Sequence, residues 1–171
     1  MANEFALTHS PNIVIANEID GLEMGVLTDG RTYLTGRSLA RLCSVVPSAI
    51  VTQAKRWGDG ERNNKLAQML VAQGVTQASL YLEIARPDVI GGKVHAYTDD
   101  ICMRVLEYYA FEAVAPNPQA QANFRKLATA GMRLFVYQAL GYDPSNVVTP
   151  AWRQFHDRMA LHRVPRGHFK I

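Results

Sequence analysis

The stretch Leu39 to Trp57, LARLCSVVPSAIVTQAKRW, constrains the fold most, because it asks for two short helices meeting at a tight turn. Such a meeting needs small side chains where the backbones approach, and Ala40 and Ser44 stand there. Pro47, accepted in a first helical turn, starts the second helix, which runs to Trp57 and is stopped by Gly58-Asp59-Gly60. Within it Ile50, Ala54 and Trp57 are spaced four and three apart, as residues on one helix face are, so they form an inward stripe. Ser48, Thr52, Lys55 and Arg56 then point outward, with Gln53 beside them.

Around this pair the chain reads as α+β: small antiparallel hairpins with a helix-turn-helix, followed by a mainly helical half. Asn12 to Ala16 is β-branched and apolar, and Gly21 to Thr28 and Thr32 to Thr35 flank Asp29-Gly30, a dipeptide suited to a tight hairpin turn. Thr35 is placed to cap a helix from Gly36 to about Cys43. A third helix is expected over Glu61 to Gln73, with Leu66, Met69 and Leu70 on one side and Gly74 as its stop. Leu80 to Ala85 and Lys93 to Ala96 read as a second hairpin. Thr98 or Asp99 caps an apolar helix to about Ala113, and Pro116 and Pro118 break it. A long amphipathic helix is expected from Gln119 to Leu140, and a last one from Pro150 to about Leu161. The expected division is a DNA-binding module over 1–97 and a helical packing region over 98–171.

Hydrophobic residues are 48% of the 171-residue chain and charged residues 19%, an ordinary globular mix that excludes a disordered protein. Cys43 and Cys102 sit inside apolar helical patterns and read as buried thiols of a reducing compartment. Met1 to Ser10 has neither the basic residues nor the apolar core of a secretory signal, and no stretch is long enough to cross a membrane. The expected location is therefore the cytoplasm, with no membrane partner. The net charge of +3 is small, but its distribution is uneven. Residues 1–30 hold five acids and no Lys or Arg, whereas 31–65 hold seven basic residues against Asp59 and Glu61. The segment 151–171 is basic as well, and such segregation favours a polyanion.

Hydroxyl, amide and cationic groups on one helix face are the types that contact phosphates and base edges from the major groove of double-stranded DNA. Arg37 and Arg41 precede that helix, placed to hold phosphates beside the groove. Arg62, Asn63, Asn64 and Lys65 follow it, at the expected start of the third helix, where the dipole would add attraction for anions. The hairpins would serve as wings. Two departures from the usual pattern are the absence of a glycine in the turn and the polar Gln53 where many such helices carry an apolar residue.

Three segments, GVLTDGRTYLTGRSLARLC, AYTDDICMRVLEYYAFEA and WRQFHDRMALHRVPRGHF, resemble prophage-encoded proteins of the antirepressor and abortive-infection type. The N-terminal modules of those proteins belong to the KilA-N and BRO-N group. The resemblance implies a hairpin-plus-helix module that binds DNA, often attached to a C-terminal effector or oligomerisation region. It further implies that this chain is the N-terminal part of a longer product.

Enzyme readings find less to stand on. His156, Asp157, His162 and His168 invite a metal-dependent nuclease, but His156 and His162 would leave a helix about 240° apart at roughly 100° per residue. Asp157 is better read as a partner of Arg153. Asp99 and Asp100 at a helix start complement its dipole. Glu107 and Glu112, among Tyr108 and Tyr109, call for ion-pair partners, with Arg104, Arg125 and Arg133 as candidates. No phosphate-loop, dinucleotide, nucleophile-elbow or H-E-x-x-H pattern occurs, so no catalytic residue, metal ligand or cofactor is assigned. The leading expectation is a sequence-specific DNA-binding regulator that dimerises through its helical half. The alternatives are a module that sequesters a host or phage regulatory protein without nucleic acid, and a nuclease dependent on His156.

Overall fold

A computed structural model describes residues 11–143. Five strands, β1 (Ile13–Ile19), β2 (Leu22–Leu27), β3 (Thr32–Thr35), β4 (Leu82–Ala85) and β5 (Lys93–Thr98), form one antiparallel sheet in the order β1-β2-β3-β5-β4. Between β3 and β4 lie three helices, α1 (Gly36–Leu42), α2 (Pro47–Gly58) and α3 (Lys65–Ala72). After β5 come α4 (Asp99–Glu107), a π-helical turn (Tyr108–Glu112), α5 (Pro118–Ala130) and α6 (Met132–Leu140). The class is α+β.

Local chemistry places most of these elements. Asp20 and Gly21, both at positive φ, form a two-residue turn between β1 and β2, the twist a hairpin needs. Asp29-Gly30 turns the chain between β2 and β3, where the Asp29 carboxylate accepts from the Arg31 N–H and pairs with its guanidinium at 2.7 Å. Thr35 caps α1 by accepting from the Ser38 N–H, and Pro47 opens α2.

Alternation along the strands splits the core. Met24, Leu34 and Tyr97 face the helices and pack with Leu39, Ile50, Trp57, Leu70, Ile101, Leu106 and Val136. Leu27, Tyr33, Ile84, Val94 and Ala96 face the other way and bury one another as the sheet curls. Each aliphatic or aromatic side chain taken out of water contributes about 1.5–3 kcal/mol. The strands leave no room for a side chain at Gly25, where a Cβ would fall 2.5 Å from the Tyr33 ring and 2.7 Å from the Ile15 carbonyl oxygen.

Several boundaries differ from those expected. The third helix begins at Lys65 rather than Glu61, because the Asn64 side chain accepts from the Ala67 N–H and caps it there. The long helix over 119–140 is two helices, broken at Gly131, whose φ of 79° takes it out of the right-handed helical region. The helix from Asp99 widens into its π turn, and the Gln121 amide donates to the Ala110 carbonyl there at 2.8 Å. In the helical half Ile101, Cys102, Val105, Leu106, Ala120, Leu127 and Val136 are buried within the chain, whereas Phe111 and Val114 are exposed. The expected helix from Pro150 to Leu161 and residues His156, Asp157, His162 and His168 lie outside the described residues.

Candidate nucleic-acid interface

The turn between α1 and α2 is a complete C-terminal helix cap. The Ser44 N–H bonds the Arg41 carbonyl at 3.1 Å, the Val45 N–H bonds the Ala40 carbonyl at 2.9 Å, and Ser44 takes the left-handed conformation, φ 55°. Glycine normally fills that position, as Gly60 and Gly74 do after α2 and α3 with the same bonding pattern. Here serine stands in for the glycine missing from the sequence. Two carboxamides from α5 and its cap hold the strained turn: Asn117 donates to the Ser44 carbonyl at 3.1 Å and Asn123 to the Leu42 carbonyl at 2.8 Å.

Helix α2 is anchored as its spacing predicts. Ile50, Ala54 and Trp57 are buried, and the Trp57 indole N–H donates to the Gln77 carbonyl at 2.9 Å. Ser48, Thr52 and Lys55 lie within about 60° of one another on the opposite side at roughly 100° per residue, and all three are exposed. Gln53, on the flank, is half-buried. The N-terminus of α2 carries no side-chain cap, since Val46 occupies that position.

The cations divide into three groups. Arg37 and Lys55 are exposed and form no ion pair among the described residues. Arg41 is one turn beyond Arg37 on α1, and its guanidinium rests on the β1–β2 turn, where a Cβ on Gly21 would fall 2.1 Å from Nη1. Arg56 approaches Glu61 at 3.8 Å and Lys65 approaches Glu112 at 3.4 Å, with all four side chains about half exposed. Surface pairs of this kind are worth about 0–1 kcal/mol and exchange readily for a phosphate.

Arg62 and Asn64 are engaged within the fold, whereas the sequence predicts both to face an anion at a helix start. Arg62 lies over the Trp57 ring at 3.7 Å and donates to the Trp57 carbonyl at 2.7 Å, sealing the anchor of α2. The Asn64 side-chain oxygen caps α3, while the Asn63 side chain is exposed and its backbone carbonyl accepts from the Gln68 amide. Arg37, Ser48, Thr52 and Lys55 stay exposed on the α1–α2 pair, with Arg41 and Arg56 beside them.

Sequence reasoning passed over Val46 and Val51, which are 65% and 61% exposed at the start of α2. The helical period would have found Val51, three residues after Ser48 and four before Lys55.

The acidic residues of α4 are committed elsewhere. Asp99 is buried in a two-pronged pair with Arg133, and the Thr98 hydroxyl donates to Asp100 at 2.6 Å. Glu107 meets no arginine directly: it accepts from the Gln73 amide at 2.9 Å, and Arg104 donates to the other end of that side chain at 2.8 Å. Burial pushes the Cys43 and Cys102 thiols up, so neither is a ready nucleophile. Among the described residues no group of His, Cys, Asp and Glu is placed to hold a metal ion. A cavity of about 320 Å³ opens beside β4 and β5, but its one cation, Arg31, is already paired with Asp29.

Among the described residues no helix is long and apolar enough to cross a membrane. No protein-family model, no curated protein and no solved structure matches the chain.

Proposed function

We propose that the chain is a DNA-binding regulator whose helix α2 enters the major groove of a duplex. The observation that carries this reading is the two-sided character of α2: one face is locked into the core by Ile50, Ala54 and Trp57, and the other offers Ser48, Thr52 and an exposed Lys55. In a helix-turn-helix the second helix lies in the groove while the first crosses the backbone. Arg37 on α1 then falls to a phosphate, Lys55 to a phosphate or to a guanine edge, and Ser48 and Thr52 to either. The likeness of three segments to phage antirepressor-type proteins points to the same class and to double-stranded DNA as the partner.

The test is a salt titration of duplex binding by the full chain and by an Arg37→Ala, Lys55→Ala double variant. Each lost phosphate contact removes about 0.9 from the slope of log affinity against log salt, so a drop approaching 1.8 is expected. Both side chains are exposed, so the variant retains the melting temperature of the parent. An unchanged affinity and slope would overturn the proposal.

A further inference from the structure

Val51 stands in the outward face of α2, 61% exposed, between Ser48 and Lys55 on the helical period. Val46, 65% exposed, precedes the same helix. Elsewhere on α2 Ile50, Ala54 and Trp57 are buried and Pro47 is exposed in the first turn, so Val51 is the apolar side chain set between Ser48 and Lys55. Its neighbours set its partner: Lys55 carries an exposed positive charge one turn on, and Ser48 and Thr52 bring hydroxyls alongside. A surface that is cationic, hydroxylated and apolar at one point complements a polyanion with one apolar group exposed.

In the major groove of duplex DNA that group is the 5-methyl of thymine, the apolar feature among the donors and acceptors of the base edges. We infer that Val51 reads a thymine methyl, so that it is a specificity-determining residue and the site favours DNA over RNA of the same sequence. This rests on the reading of α2 as the groove helix. Double-stranded RNA opposes it twice, since its major groove is too deep and narrow for side chains and uracil lacks the methyl.

A duplex selected from a random-sequence pool by the full chain is synthesised with deoxyuridine replacing thymidine at one position at a time. At one position the loss of the methyl weakens binding by the parent about fourfold, the value of one buried methylene-sized group. The Val51→Ala variant binds the thymine duplex correspondingly less tightly and is indifferent to the same replacement. Val51→Thr, which keeps one γ-methyl, retains part of the discrimination. A duplex that is bound, but whose replacements affect parent and Val51→Ala equally or not at all, overturns the role of Val51 and leaves the DNA-binding reading intact. Failure to select any duplex overturns both.

Discussion

Replacing Ser44 by glycine should stabilise this protein, although glycine substitutions usually do the reverse. Ser44 sits at φ 55°, a left-handed conformation that costs a residue with a Cβ roughly 1–2 kcal/mol. Its side chain is exposed and makes no hydrogen bond among the described residues, and the contacts that matter, from Asn117 to its carbonyl and from its N–H to Arg41, involve its backbone and survive the change. Against the relief stands the greater freedom of glycine in the unfolded chain, about 0.4–1 kcal/mol. The balance is a gain of about 0.5–1 kcal/mol, which in a domain of this size raises the melting temperature by about 1–4 °C. Thermal melts by circular dichroism, with urea titrations alongside, would measure it. Gly60→Ala is the mirror control, since Gly60 holds the equivalent place after α2 at φ 81° and should lose about 1 kcal/mol or more. If Ser44→Gly melts at or below the parent while Gly60→Ala falls as stated, the turn does not store the strain assigned to it.

Two further changes probe the body of the fold. Gly25→Ala should destabilise by more than about 2 kcal/mol, because its Cβ would meet both the Tyr33 ring and the Ile15 backbone and neither can retreat; a urea midpoint close to that of the parent would refute this. At alkaline pH, burial raises Tyr33 and Tyr109 from 10.0 to about 12, and Tyr97 and Tyr137 are raised as well. A folded pKa above the unfolded one means that stability is whole below pH 10 and drains away as pH climbs towards 12, so melting temperatures flat from pH 9.5 to 11.5 would count against the burial of these phenols.

The elements that could be read from sequence are those whose signals are local. Thr35, Pro47 and the Asp29-Gly30 dipeptide act on their immediate neighbours, and the stripe of Ile50, Ala54 and Trp57 needs only the helical period. The misread boundaries have equally physical causes. Glu61 looks like a first-turn acid, yet the cap is made by Asn64, and only the bond to the Ala67 N–H decides between them. The apolar period passes through Gly131 without interruption, so periodicity alone cannot reveal that the backbone turns there. Which cations remain available to a ligand was legible only for Arg37 and Lys55, which are exposed as their spacing implied. Lys65 meets Glu112 and Arg133 meets Asp99 across long stretches of chain, and Arg62 folds back over Trp57.

The same reasoning explains why a DNA-reading helix would need the helices that follow the sheet. Direct readout is a matter of ångströms: a side chain on α2 finds a base edge only if the angle between α1 and α2 is fixed. The turn between them holds a strained serine and would relax if left alone. Asn117 and Asn123, 73 and 81 residues further along the chain than the carbonyls they hold, bind the end of α1 and the turn itself. Trp57 and its Arg62 cover fix the other end of α2. Helix α2 is thus clamped at both ends, and the face bearing Ser48, Val51, Thr52 and Lys55 stays exposed.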